Sequence, residues 1–292
     1  MRKLYGTGVA LVTPFTETLE VDYKALKKLL QHTAKGADYY VVMGTTGESV
    51  TCSDDEKLKV LNFVKANNPK NLPIVYGIGG NDTRSVVDEI IATDLKGVDA
   101  LLSVSPYYNK PSQEGIYRHY TAVADASPIP VLLYNVPGRT AANVTAETTL
   151  KLAEHKNIVG IKDASGNMEQ FLKIAKYMPK DFVLISGDDM WTLGVYAVGG
   201  KGVISVLANA FPQSFRKIKD YAFSGNYAKA AVEQARLLEI NGPMYEEGNP
   251  VGIKYVLSKM GIMNPGVRLP LVPGSGELKA KIDRILAVLN KK

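Results

Sequence analysis

A (β/α)8 (TIM) barrel carrying a C-terminal extension of three helices is the fold this sequence predicts, on three observations. Eight short segments rich in Val, Ile and Leu recur at intervals of about 20 to 35 residues. Each is apolar almost throughout rather than alternating, as strands are when both faces are buried in a parallel sheet. Between them lie stretches with a 3.6-residue apolar period, the pattern of helices laid over such a sheet. An open doubly wound sheet is the competing arrangement, but it ordinarily has about six strands and a glycine-rich turn after the first. Here the first strand runs into Thr13-Pro14-Phe15.

The strands are expected at Val9–Thr13, Tyr39–Met43, Ile74–Ile78, Ala100–Val104, Val131–Tyr134, Val159–Lys162, Phe182–Ser186 and Gly202–Val206. Tyr23–Ala34 is the first helix, with Ala25, Leu26, Leu29 and Leu30 on one face. In Asp54–Ala66, Ser53 precedes and Glu56 follows three residues later, a capping box. Thr83–Leu95, Gln113–Ala126, Ala146–His155, Met168–Met178, Asp189–Val198 and Pro212–Phe223 complete the alternation. Gly36 and Gly97 sit in two similar exits, Lys-Gly-Ala-Asp and Lys-Gly-Val-Asp, and read as C-cap glycines. Beyond the barrel, Tyr227–Ile240, Pro250–Met260 and Gly276–Leu289 read as helices with no Pro/Ser-rich linker before them. The expected division is a catalytic barrel over 1–224 and a helical extension over 225–292.

The 292 residues carry a formal charge of +6. From Lys279 onward there are five basic residues, Lys279, Lys281, Arg284, Lys291 and Lys292, against one acid, Asp283; that +4 leaves only +2 for the rest. No basic stripe interleaves with aromatics, so the charge reads as a solvated helix face with a frayed end and not as a nucleic-acid surface. No apolar run approaches the roughly 20 residues of a membrane span. The single cysteine, Cys52, excludes an intramolecular disulfide framework and a Cys-based zinc site. With no signal-peptide pattern at Met1–Gly6, a reduced cytoplasmic setting is expected.

Barrel enzymes build their sites at the C-terminal ends of the strands. Lys162 emerges there from Ile158-Val159-Gly160-Ile161. Burial penalises an ammonium, and a neutral amine can attack a carbonyl to form a Schiff base; a lysine that caps a strand or pairs with an acid is the equal alternative. Tyr134 ends the preceding strand, where a phenol can relay protons or simply fill the barrel mouth. Thr45 and Thr46 lie between Gly44 and Gly47, a turn suited to a carboxylate or merely a tight connection. Arg139, in Gly138-Arg139-Thr140, can grip a carboxylate through two parallel hydrogen bonds or stand as an ordinary surface arginine.

Other chemistries find less support. Gly77-Ile78-Gly79-Gly80 resembles a dinucleotide turn, but Asp82 stands where its third glycine belongs. His32, His119 and His155 fall in helices away from strand ends, and no two have metal-ligand spacing. Asp188-Asp189 fits an N-cap better than a divalent-ion site. Cys52 has no histidine beside it in sequence and reads as an inert buried thiol. No metal site is expected.

Five motifs, in order, then resemble one family. They are Gly44-Thr45-Thr46-Gly47-Glu48, Ser105-Pro106-Tyr107-Tyr108-Asn109-Lys110-Pro111, Tyr134-Asn135-Val136-Pro137-Gly138-Arg139-Thr140, Ile161-Lys162-Asp163-Ala164-Ser165-Gly166 and Gly202-Val203-Ile204-Ser205-Val206. From Gly8 to about Leu269 the chain is similar to the dihydrodipicolinate synthase family of pyruvate-dependent class I aldolases. The resemblance implies a lyase that joins pyruvate to L-aspartate-4-semialdehyde, giving 4-hydroxy-tetrahydrodipicolinate, the first committed step of lysine (diaminopimelate) biosynthesis. It implies Lys162 as the Schiff-base lysine, with no separate cofactor, and Tyr134 as the proton shuttle. Thr45 would link Tyr134 to Tyr108, which in this family reaches in from a neighbouring subunit. Thr46 would contact the pyruvate carboxylate, Arg139 the carboxylate of the second substrate, and Gly187 and Ile204 would line the pocket. The assembly implied is a homotetramer, a dimer of dimers.

N-acetylneuraminate lyase and the keto-deoxy sugar acid aldolases share the lysine and tyrosine. They typically lack the arginine of Pro-Gly-Arg-Thr, and the lyases carry Ser-Thr in place of Thr-Thr. This sequence has both synthase features. It departs elsewhere: at the family's lysine-feedback site, Ser49, Asn81 and Tyr107 match, but Lys57 and Ser85 stand where a histidine and a glutamate are used. Weak or absent inhibition by lysine is expected.

Overall fold

The computed structural model describes residues 2–289. Strands β1 (Gly6–Ala10), β2 (Tyr39–Val42), β3 (Ile74–Gly77), β4 (Ala100–Val104), β5 (Val131–Asn135), β6 (Ile158–Asp163), β7 (Val183–Ser186) and β8 (Gly202–Ser205) close into a barrel in chain order. β1 with β2, and β3 through β8 in succession, pair in parallel. Nearly every strand residue is buried, which is why these segments read as unbroken apolar runs. A helix follows each strand, so the predicted (β/α)8 barrel is the observed fold.

β1 lies three residues earlier than expected. Leu11, Val12 and Thr13 are buried like a strand, but the Val12 N–H donates to the Asn209 side chain at 3.3 Å, so the ladder ends. Gly8 is required in β1 because a Cβ there would sit 2.3 Å from the Tyr39 ring. The capping box forms as expected: the Ser53 hydroxyl accepts from Glu56 N, and Glu56 accepts from Ser53 N. The C-cap reading of Gly36 is wrong. Its φ is not positive, and it is needed because a Cβ would strike the Pro212 carbonyl oxygen at 1.9 Å. Gly97 does have positive φ (79°), but the helix before it already ends at Ala92.

Asp189 does not cap the following helix either. Asp188 accepts from Met190 N in a tight turn, the helix starts only at Thr192, and its N-cap is Trp191. The first tail helix is broken: Tyr227–Ala235 stops where Leu237 N bonds Gln234 O, three residues back, and Leu238–Asn241 runs on into a 3-10 turn containing Pro243. Val251–Lys259 and Gly276–Leu289 follow. Lys281 meets Glu246 at 2.6 Å in an exposed pair, as a solvated face would; Lys291 and Lys292 lie outside the described residues.

The described chain forms two compact units, residues 2–6 with 73–204 and residues 7–72 with 205–289. Leu101, Val131, Leu133, Ile161, Leu184 and Phe171 are fully buried in the first. In the second, Leu29, Leu30, Tyr39, Leu61, Ile253 and Val256 form the core. There Asn209 donates to Ala10 O at 2.7 Å and to Val206 O at 3.0 Å, so the segment beyond β8 is tied to β1 by hydrogen bonds as well as by packing.

Candidate active site

The first unit holds Lys162 and Tyr134. β5 and β6 pair with Tyr134 opposite Lys162 and Asn135 opposite Asp163. Side chains alternate along a strand, so the first pair shares one face and the second pair the other. Lys162 and Tyr134 are each 7% exposed, and Lys162 Nζ lies 3.9 Å from the centre of the Tyr134 ring. In its ammonium form the Lys162 side chain is attracted to the negative face of the ring. Among the described residues no carboxylate pairs with Lys162, so it is neither a strand cap held by an acid nor one half of a structural ion pair.

Behind them, Asn135 and Asp163 are fully buried. Burial pushes the Asp163 carboxyl up, while hydrogen bonds from Gln170, Ser165 and Asn135 pull it back. Next to Lys162 in the barrel, β7 delivers Gly187, whose N–H donates to Asp163 O at 2.8 Å. A Cβ on Gly187 would meet Ala164 Cβ at 2.8 Å. Ile204, in β8, is 1% exposed. Arg139 stands exposed on the short helix Pro137–Thr140, with no ion-pair partner among the described residues. Its support is fixed by the buried Thr140, whose hydroxyl donates to Val136 O at 3.2 Å and Ala142 O at 2.8 Å. Tyr108 is 88% exposed and held at φ 71°, so its ring projects into solvent.

The second unit holds the turn Thr45–Gly47. Thr45 is exposed, whereas Thr46 is buried and its hydroxyl accepts from Asn249 Nδ2 at 3.0 Å. Gly44 is extended, so no left-handed backbone requires it; Gly47 is tight, 3.2 Å from Leu11 O at its would-be Cβ. The turn is anchored from below by Glu48, which sits at φ 53° and accepts from the fully buried Lys254 and from Arg268 N. Burial pushes the Lys254 ammonium down to about 8, against the upward pull of Glu48. Arg268 grips Glu56 at 2.6 and 2.8 Å and holds its carboxyl down at about 2.

Sequence reasoning missed Asn249, Lys254 and Arg268. Lys254 did leave a signal, a lysine inside the apolar run Val251-Gly252-Ile253-Lys254-Tyr255-Val256-Leu257. The residues expected at the feedback site divide between the units. Ser49 is half-buried and Lys57 pairs with Asp54 at 3.0 Å in the second. In the first, Asn81 O accepts from Asn109, the Ser85 hydroxyl donates to Asp82 at 2.5 Å, and Tyr107 is half-buried. Cys52 is buried, and burial pushes its thiol up to about 11, so it is unreactive. Of the histidines, His32 bonds Ala210 O, His119 bonds Thr83 and His155 sits in a turn against Asp125.

The sequence model of the dihydrodipicolinate synthetase family matches residues 3–289. A 4-hydroxy-tetrahydrodipicolinate synthase of Cytophaga hutchinsonii is 51% identical over 97% of this chain and 96% of its own length. One from Flavobacterium psychrophilum is 47% identical over the whole of both chains. The solved structure of the chloride-inhibited dihydrodipicolinate synthase of Acinetobacter baumannii, complexed with pyruvate, superposes with a TM-score of 0.94 at 36% identity, covering 98% of this chain and 99% of that one. Fold and likeness together define an enzyme of the (β/α)8-barrel class. The chain belongs to the dihydrodipicolinate synthetase family.

Proposed function

We propose that this chain acts as a 4-hydroxy-tetrahydrodipicolinate synthase, condensing pyruvate with L-aspartate-4-semialdehyde in lysine (diaminopimelate) biosynthesis. The observation that carries the reading is Lys162, buried against the Tyr134 ring and free of any carboxylate among the described residues. The unprotonated amine of Lys162 attacks the pyruvate keto carbon, and loss of water leaves an imine. The imine is an electron sink. Removal of a methyl proton gives an enamine, whose carbon attacks the aldehyde of the second substrate. The amine of that substrate then displaces Lys162 and closes the ring.

Tyr134 is the proton carrier, because a phenol both donates and accepts. Thr45 and Tyr108 extend its relay, and the exposed ring of Tyr108 suits a residue given to a neighbouring subunit, hence the proposed homotetramer. Thr46 holds the pyruvate carboxylate and Arg139 the second one, with Gly187 and Ile204 at the pocket wall. No cofactor beyond the lysine adduct is invoked, and the setting proposed is cytoplasmic. Among the described residues no helix is long and apolar enough to cross a membrane. The barrel of 1–224 is proposed as the catalytic part and 225–292 as its extension.

Borohydride reduction with pyruvate tests the core of this reading. Mass spectrometry should find the reduced adduct on Lys162 alone; an adduct elsewhere, or none, overturns it. Activity with aspartate semialdehyde, measured against N-acetylneuraminate and 2-keto-3-deoxygluconate, separates the synthase from the sugar-acid lyases. Ser85, engaged with Asp82, offers no carboxylate for an effector ammonium, and Lys57 adds a like charge. Half-inhibition by submillimolar lysine would refute the expected weak response.

A further inference from the structure

Four side chains in the first unit close a hydrogen-bonded ring on the outer face of β5 and β6. Asn135 Nδ2 donates to Asn143 Oδ1 at 2.8 Å and to Asp163 Oδ1 at 3.1 Å. Asn143 Nδ2 donates to Gln170 Oε1 at 2.9 Å, and Gln170 Nε2 donates to Asp163 Oδ2 at 2.7 Å. Asn135 Oδ1 also accepts from Val144 N at 2.9 Å. Asn135 and Asp163 are wholly buried and Gln170 is 6% exposed. No lysine, arginine or histidine donates to Asp163 among the described residues; its partners are Asn135, Ser165 and Gln170.

Asn135 directly follows Tyr134, and Asp163 directly follows Lys162. The ring thus fixes, from behind, the two residues in register that point the other way. Its fourth corner, Asn143, belongs to the segment that carries Arg139 out from β5 and back. Gln170 comes from the helix Met168–Tyr177. A polar network with every member satisfied sets one geometry, and one left half-satisfied is costly.

We infer that Asn143 and Gln170 are positioning residues, which set the Arg139 segment against the Lys162–Tyr134 pair and so govern capture of the second, carboxylate-bearing aldehyde substrate. The inference rests on the proposed condensation, but its failure is separable from that of the condensation. Without the condensation, the unaltered enzyme traps no pyruvate on Lys162. Without the positioning role, the unaltered enzyme works and the variants below keep its substrate balance.

Asn143→Ala removes two ring bonds without touching a strand. It should raise KM for aspartate semialdehyde by about ten-fold or more, the equivalent of one or two lost hydrogen bonds. Pyruvate trapping should keep its rate. Equal losses in both, or in neither, refute the inference. Gln170→Glu preserves shape and the bond from Asn143 but sets a second carboxylate 2.7 Å from Asp163. Such a pair retains one proton at low pH and repels once both ionise. Relative to the unaltered enzyme, the variant's KM for the aldehyde should climb with pH, by a larger factor than any fall in its rate of pyruvate trapping. Superimposable pH profiles of KM for the two proteins overturn the inference.

Discussion

Replacing Gly187 by alanine tests whether the geometry around Lys162 governs the chemistry. The glycine is not there for backbone freedom, since its φ is not positive. It is there for space: an added Cβ would lie 2.8 Å from Ala164 Cβ, 3.0 Å from Ala164 N and 3.1 Å from the Asp163 carbonyl carbon. Carbon atoms rest at about 3.5–4.0 Å, so β7 and the end of β6 must part by at least about 0.7 Å. Neither neighbour is a flexible side-chain tip, and Gly187 N is already bonded to Asp163 O. Overpacking of this kind costs about 1–3 kcal/mol of stability. The larger effect should fall on the lysine one residue before Asp163, because a displacement near 1 Å at a reacting group can cost about 100-fold in rate. The assay is the rate of borohydride-trapped pyruvate adduct on Lys162, with Tm recorded on the same sample. A folded Gly187→Ala protein that traps pyruvate at the unaltered rate would refute the reasoning.

Lys254→Met should destabilise the chain by about 3–5 kcal/mol, because Glu48 is then left buried without its cation; denaturant melts check this, and Glu48→Gln added to the same chain should restore most of the loss. His119 is 4% exposed, and burial pushes its imidazole down to about 4. The unfolded chain therefore takes up the proton first. Stability present above pH 6.5 is lost as pH falls toward 4, on the order of 3 kcal/mol, and His119→Phe should flatten that slope in melts across the window. Arg139→Ala should raise KM for aspartate semialdehyde while leaving pyruvate trapping intact; an equal loss in both would show that the arginine supports the fold and not the second carboxylate.

The barrel was legible because its determinant is local. A parallel strand buried on both faces must be apolar along its length, and the helix that follows must repeat every 3.6 residues, so Ala100–Val104 and Gln113–Ala126 coincide with their predicted bounds. Where a side chain from far along the chain intervenes, the reading slips. Asn209 takes the Val12 N–H and ends β1 early, and Pro212 fills the space that makes Gly36 obligatory.

The same division runs through the candidate residues. Which residues stand at strand ends, and which motifs they compose, could be read from order along the chain; Lys162, Tyr134, Arg139 and the Thr45-Thr46 turn all emerged that way. Their supports could not. Asn143 joins Asn135 across 8 residues of sequence and Gln170 across 27, Gln170 joins Asp163 across 7, and Lys254 reaches Glu48 across more than 200. Periodicity records which face of a segment is buried, but a hydrogen bond or ion pair exists only when two particular groups are brought within about 3 Å, and that approach is decided by the packing of whole elements.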